Sequence, residues 1–189
     1  GYYFLGYNGI IKSEIENLKN ISEEVSLHLD SHLKGKVTTA ITLSSAPIIK
    51  DALLKSNYAF ASLNNDARKD KIDTLNQQWM KTTDFKSPFV SAYMTTPVAE
   101  YLKHQQTLIA GEYGEIFLTN RYGAMIATTG KLTTLNHAHK YWWKSAFDED
   151  KGRIFLDDRG FDTSVKGYVL GVVIPIMDQN KIIGILKCN

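Results

Sequence analysis

The apolar residues of this chain change their period once, near Gly111, and that change limits the fold more than any other feature. Ile11, Ile15, Leu18, Ile21, Val25, Leu29, Leu33, Val37, Ala40 and Ile41 recur every three or four positions, which draws one stripe down a long helix. Beyond Gly111 the pattern turns strand-like, with short blocks rich in Val and Ile. Helices first and strands second describe an α+β architecture in which the helices lie against an antiparallel sheet.

The long helix is expected to run to about Ser44, with Ser45-Ala46-Pro47 as its kink and a second helical piece from Ile48 to about Lys55. Residues 57–65 read as looser. Asn64-Asn65-Asp66 then offers capping side chains for a third helix whose inner face is Ile72, Leu75, Trp79 and Met80. Asp84 to Pro88 interrupts it, and Pro97 opens another helix to about Leu108.

In the second part, residues 115–119 form a strand, Asn120-Arg121-Tyr122-Gly123 a tight turn and residues 124–128 the returning strand. Residues 136–147 read as a short helix and 152–156 as a third strand. Residues 168–177, a turn at Asp178-Gln179-Asn180-Lys181 and residues 182–187 complete a five-stranded antiparallel sheet. There is no repeat and no low-complexity linker, so residues 1–110, the long helix with its helical region, and residues 111–189, the sheet, are read as parts of one module.

Composition removes several classes of function. Twenty-two Lys and Arg balance 20 Asp and Glu without a basic stripe, which argues against nucleic acid as a partner. Cys188 is the sole cysteine, so no intrachain disulfide or cysteine-based zinc site forms. No apolar run approaches the roughly 20 residues of a membrane-spanning helix. The aromatic cluster from Tyr2 to Tyr7 reads either as a membrane-interface segment or as packing on a neighbouring helix, and with the apolar run at 182–186 it suggests a segment excised from between two membrane helices.

Four passages carry a resemblance: Gly114-Glu115-Ile116-Phe117-Leu118-Thr119-Asn120-Arg121-Tyr122-Gly123; Lys140-Tyr141-Trp142-Trp143-Lys144-Ser145-Ala146; Phe161-Asp162-Thr163-Ser164; and Val173-Ile174-Pro175-Ile176-Met177-Asp178 with Gly184-Ile185-Leu186. In this order and spacing they resemble Cache (PDC) sensor domains. The resemblance implies a PAS-like sheet hung on a long helix that emerges from a membrane. It further implies a small-molecule sensing role outside the cytoplasm, periplasmic or extracellular, in a membrane-anchored receptor such as a histidine kinase, chemoreceptor or cyclic-dinucleotide enzyme.

The amino-acid-binding members of that family carry R-x-W-Y-x-x-A on the helix and a tyrosine and an aspartate on the next strand. Laid on this chain, Lys140 stands for the arginine, Trp142 is kept, Trp143 replaces the tyrosine, Phe155 the strand tyrosine, and Asp157 the aspartate. A lysine cannot make the bidentate fork of a guanidinium, so an amino-acid ligand would be held differently, if at all. Trp142, Trp143 and Phe155 could box an organic ligand or cation with Asp157 as countercharge, or could pack the core. Phe117, Met125 and Tyr168 on the strands complete the expected ligand-binding set.

His28 and His32 lie four apart on the long helix, but no third metal ligand accompanies them, and solvated side chains explain them as well. Neither metal nor cofactor is expected. Hydrolase elbows, phosphate loops and zinc-protease motifs are missing, and Asp157-Asp158, adjacent on a strand, point to opposite faces; a capped turn with Arg159-Gly160 accounts for them. The sequence therefore reads as a sensor without a reaction of its own, dimeric through the N-terminal helix. The alternative is a protein-interaction or structural module of a receptor with no small-molecule ligand, its pocket filled by side chains.

Overall fold

The structure is a computed structural model that describes residues 4–6, 31–109, 111–162 and 166–189. Its elements in chain order are β1 (Phe4–Gly6), α1 (Ser31–Ser44), α2 (Pro47–Ala61), α3 (Asn65–Lys81), α4 (Pro88–Met94), α5 (Pro97–Leu108), β2 (Ile116–Asn120), β3 (Met125–Thr128), α6 (Tyr141–Phe147), β4 (Arg153–Asp162), β5 (Gly167–Asp178) and β6 (Lys181–Cys188). The order of helices before sheet stands, and the fold is α+β. Most of the expected long helix, His28 and the aromatic residues Tyr2, Tyr3 and Tyr7 lie outside the described residues, as does the side chain of His32.

Proline places three of the helices. Pro47, Pro88 and Pro97 each occupy the first turn, where a missing N–H costs nothing and the fixed φ is already helical. At Pro88 and Pro97 the preceding residue caps the turn: the Ser87 hydroxyl accepts from Val90 N (3.3 Å) and the Thr96 hydroxyl from Ala99 N (3.3 Å). Pro88 therefore starts α4, an element that the sequence reading took only as an interruption. α1 and α2 meet at a bend of 61° over Ser45-Ala46, and α2 runs on to Ala61 through residues read as loose. In α3, Asn64 Oδ1 accepts from Ala67 N (2.8 Å), while Met80 points to solvent rather than inward.

The five expected strands form, and among the described residues β1 adds a sixth, in the order β1-β4-β5-β6-β2-β3 with every pair antiparallel. The extra strand β1 covers the outer edge of β4, whose backbone groups would otherwise lack partners. Three residues are too few to show alternation in a sequence. The β2–β3 hairpin forms as expected: Asn120 Oδ1 accepts from Tyr122 N (3.0 Å) and Ala124 N (3.1 Å), and Gly123 takes a left-handed φ of 82°. Among the described residues no single helix is long and apolar enough to cross a membrane.

Strand alternation divides the core in two. Ile116, Leu118, Ile154, Leu156, Val172, Ile174, Leu186 and Cys188 face α1, α2 and α5, meeting Ile41, Ile49, Leu53 and Leu102. Phe117, Phe155, Val173 and Ile185 face the other way, toward Trp79, Leu135, Trp142, Trp143 and Ala146. The functional candidates sit on this second face.

Candidate functional site

A cavity of about 640 Å³ opens on the second face, between the ends of β4 and β6, the start of α6 and the segment 131–140. Its size lies within the roughly 300–1,000 Å³ usual for small-molecule sites. The segment 131–140 is irregular, although residues 136–140 were expected to be helical; only Tyr141–Phe147 is helix. It is pinned by α3, where Asn76 Oδ1 accepts from Leu135 N (2.8 Å) and Asn136 N (2.9 Å) and Trp79 Nε1 donates to the Leu132 carbonyl (2.7 Å). His137 N bonds the Gly123 carbonyl (2.8 Å), which ties the same segment to the hairpin.

The floor is an ion pair that spans a strand. Asp157 on β4 and Lys187 on β6 are both buried, and Lys187 Nζ donates to Asp157 Oδ2 at 2.9 Å across the intervening β5. The residue between them is Gly171, paired in register with Asp157. A Cβ there would lie 2.9 Å from Lys187 Cε and 3.2 Å from Asp157 Cβ, so the pair forms because the central strand carries no side chain at that point. Tyr141 Oη donates to Asp157 Oδ1. The Lys187 ammonium also stands 4.2 Å from the centroid of the Trp142 ring, a cation–π contact.

Above this floor, Phe117, His137 and Trp142 form an aromatic cluster with centroid separations of 5.0, 5.8 and 5.5 Å. His137 is buried, and neither ring nitrogen makes a well-formed hydrogen bond. Burial, reinforced by the charges of Lys140, Lys187 and His139, pushes its pKa down to about 3, and the Thr134 backbone offsets this only weakly. The ring is therefore neutral at ordinary pH. Burial also lowers the pKa of Lys187, against the opposing pull of Asp157, with Arg159 and Lys140 adding to the depression. Half-buried Lys140 is lowered by burial and by Arg159, while Glu115 acts in the opposite direction.

The structure brings together Phe117, Lys140, Trp142 and Asp157 of the expected set. It does not bring Trp143 to them. Successive residues on a helix point about 100° apart, and Trp143 instead stacks on Phe147 (4.7 Å) and donates from Nε1 to Thr119 Oγ1 (3.0 Å). Phe155 is fully buried beneath the edge of the Tyr141 ring (6.2 Å) and does not line the cavity. Met125 is buried on the same sheet face but lines a separate apolar groove beside Phe60, Leu75 and Tyr93. Tyr168 lies on β5 opposite Phe161, with its side chain outside the described residues.

Asp157 and Asp158 do point to opposite faces, but on a strand that continues to Asp162; only Asp158 serves the turn at Gly160, accepting from its N–H at 2.9 Å. Lys187, Tyr141, His137 and Arg159 are pocket residues that the sequence reading missed. One signal for Lys187 was present: a lysine between Leu186 and Cys188 on an apolar strand needs a buried partner. No comparable signal marks His137. Among the described residues, no group of three or more His, Cys, Asp or Glu could hold a metal ion.

No protein-family model matches the chain, and no curated protein matches it either. Among solved structures, it is similar to the sensor domain of the V. cholerae histidine kinase DctB, with 15% identity, 94% of this chain and 55% of that chain covered, and a TM-score of 0.49. It is similar to the sensory domain of the Campylobacter jejuni chemoreceptor Tlp3 with isoleucine bound, at 21% identity, 79% and 61% coverage, and a TM-score of 0.37. A third is the ligand-binding domain of the Pseudomonas aeruginosa amino-acid chemoreceptor PctC in complex with GABA, at 12% identity, 65% and 55% coverage, and a TM-score of 0.32. The chain spans little more than half the length of these solved domains.

Proposed function

We propose that this chain is the extracytoplasmic small-molecule-sensing domain of a membrane-bound signal-transduction receptor, with the cavity over Asp157 and Lys187 as its ligand site. One observation carries the ligand site: a cavity of about 640 Å³ into which a buried histidine without well-formed hydrogen bonds, a half-buried lysine and an aromatic wall all converge. Buried polar groups that are incompletely paired are costly, and an occupant that bonds His137 recovers part of that cost. A protein-interaction module with a side-chain-filled interior would leave no such space.

The membrane-anchored, extracytoplasmic part of the reading rests on the resemblance of the four passages to Cache sensor domains. In it, ligand binding across β4, β6 and α6 alters how the sheet sits on α1 and α2, which pack on its opposite face. The N-terminal helix passes the change on and pairs with its twin in a homodimer. Such coupling requires the ligand to bind one arrangement more tightly than the other. The chain itself carries out no reaction in this reading, and it uses neither cofactor nor metal.

A thermal-shift screen with pooled amino acids, carboxylates and amines tests the site, because a ligand that binds only the folded state raises the melting temperature by mass action. At least one pool should raise it, and Lys140→Ala and Trp142→Ala should each diminish the shift. Shifts that survive both substitutions unchanged would place the ligand elsewhere.

A further inference from the structure

The arrangement on the pocket floor has the chemistry of an ammonium receptor: a buried carboxylate, a phenol and the face of an indole. It is already filled. The Lys187 ammonium lies 2.9 Å from Asp157 Oδ2 and 4.2 Å from the Trp142 centroid, reaching there over the bare backbone of Gly171. An incoming amine would have to expel an ammonium attached to the chain.

The rest of the lining repels cations as well. Lys131, Lys140, Arg159 and Lys187 line the cavity against Glu115 and Asp157, which leaves an excess of two positive charges. His137, Lys140, Arg159 and Lys187 all line this one cavity, and the charges of Lys140 and Arg159 act on Lys187 there. A carboxylate suits the positive lining, and Phe117, Leu132 and Trp142 offer an apolar wall for a hydrocarbon body.

Resting on the reading of this cavity as a ligand site, we infer that it takes a small organic carboxylate and rejects free amines, because Lys187 supplies from within the chain the ammonium that Asp157, Tyr141 and Trp142 hold. Lys140 meets the ligand's carboxylate. An α-amino acid binds less well than its des-amino counterpart, since its ammonium finds the acid already paired.

Matched trios test this: 4-methylpentanoate, leucine and 3-methylbutylamine share one hydrocarbon body, as do 3-phenylpropanoate, phenylalanine and 2-phenylethylamine. Succinate and aspartate add a short polar pair, and inorganic phosphate serves as the non-carbon anion. Calorimetric titration of the 189-residue chain should show a carboxylate binding at least about tenfold more tightly than the amino acid and the amine of its set, the discrimination expected of one charge-assisted contact. An amine or amino acid that binds more tightly than its carboxylate partner overturns the inference while leaving the ligand site intact, and so does phosphate that outcompetes every carboxylate. Failure of every probe, there and in the pooled screen, overturns the ligand site itself.

Lys187→Met gives a second arm. It should lose about tenfold or more in carboxylate affinity and gain a thermal shift with 3-methylbutylamine that the unsubstituted chain lacks. A variant that binds the carboxylate as before refutes the role of Lys187. Where the variant is too unstable to assay, the matched trios on the unsubstituted chain decide.

Discussion

Asp157→Asn isolates the ion pair with the least change in shape. The substitution leaves Lys187, which is 3% exposed, without its carboxylate partner. Removing one member of a buried pair costs about 3–5 kcal/mol, and the cavity that opens beside the pair favours the lower end, about 3 kcal/mol. There is also a ceiling, because the stranded ammonium can lose its proton. Near pH 7 that costs about 1.36 kcal/mol for each of the roughly 3.4 pH units below a free lysine's pKa, about 4.6 kcal/mol in all. Near pH 9 the ceiling falls to about 1.9 kcal/mol.

The sign follows from linkage. Lys187 is already lowered by burial, and without Asp157 it falls further, so the unfolded variant binds the proton more tightly than the folded one. Stability of the variant relative to the parent therefore rises as pH climbs from the lowered folded pKa toward the unfolded value. Urea unfolding should show a deficit of about 3 kcal/mol near pH 7 that shrinks to about 2 kcal/mol or less near pH 9. The melting temperature near pH 7 should drop by about 6–12 °C. A deficit under about 1 kcal/mol near pH 7, or one that grows with pH, would refute the buried pair.

Three further substitutions probe the walls of the site. His137 is held neutral when folded and takes up a proton when unfolded, so between its ordinary value near 6.5 and about 3 the parent should lose up to about 1.4 kcal/mol per unit fall in pH. In His137→Phe that slope should flatten, and an unchanged slope in urea unfolding between pH 6 and 4.5 would assign the acid sensitivity elsewhere. Gly171→Ala puts a methyl 2.9 Å from Lys187 Cε and Asn189 Oδ1; it should destabilise by about 1–3 kcal/mol and weaken carboxylate binding, and a variant as stable as the parent would show that the pair does not depend on a bare β5. Asn76→Ala frees the Leu135 and Asn136 amides from their shared acceptor; it should cost about 1–3 kcal/mol and speed hydrogen exchange at those two amides, whereas unchanged exchange would show that α3 does not pin the segment.

The sequence alone determined the order of the layers, since the period of the apolar residues changes once and period decides whether side chains line a helix face or a sheet face. Local chemistry was equally legible: the Ala46-Pro47 break, the Asn64 cap and the Asn120–Gly123 hairpin depend on a few adjacent residues. Phe117, Lys140, Trp142 and Asp157, singled out by the resemblance, do line one cavity, because the segments that carry them keep their order in the fold. The tertiary structure decided what depends on distant segments meeting. The direction of Trp143 follows from Thr119, and the partner of Asp157 lies 30 residues away on β6 and is reachable only across Gly171. His137 sits in an irregular segment whose course is fixed by α3 and the hairpin, and no periodicity marks such a residue. The sequence supplied the four cations of the pocket as scattered letters; strand register brought Arg159 and Lys187 to one end of the sheet, and the α3 contacts that hold the segment 131–140 brought Lys131 and Lys140 to the same lining.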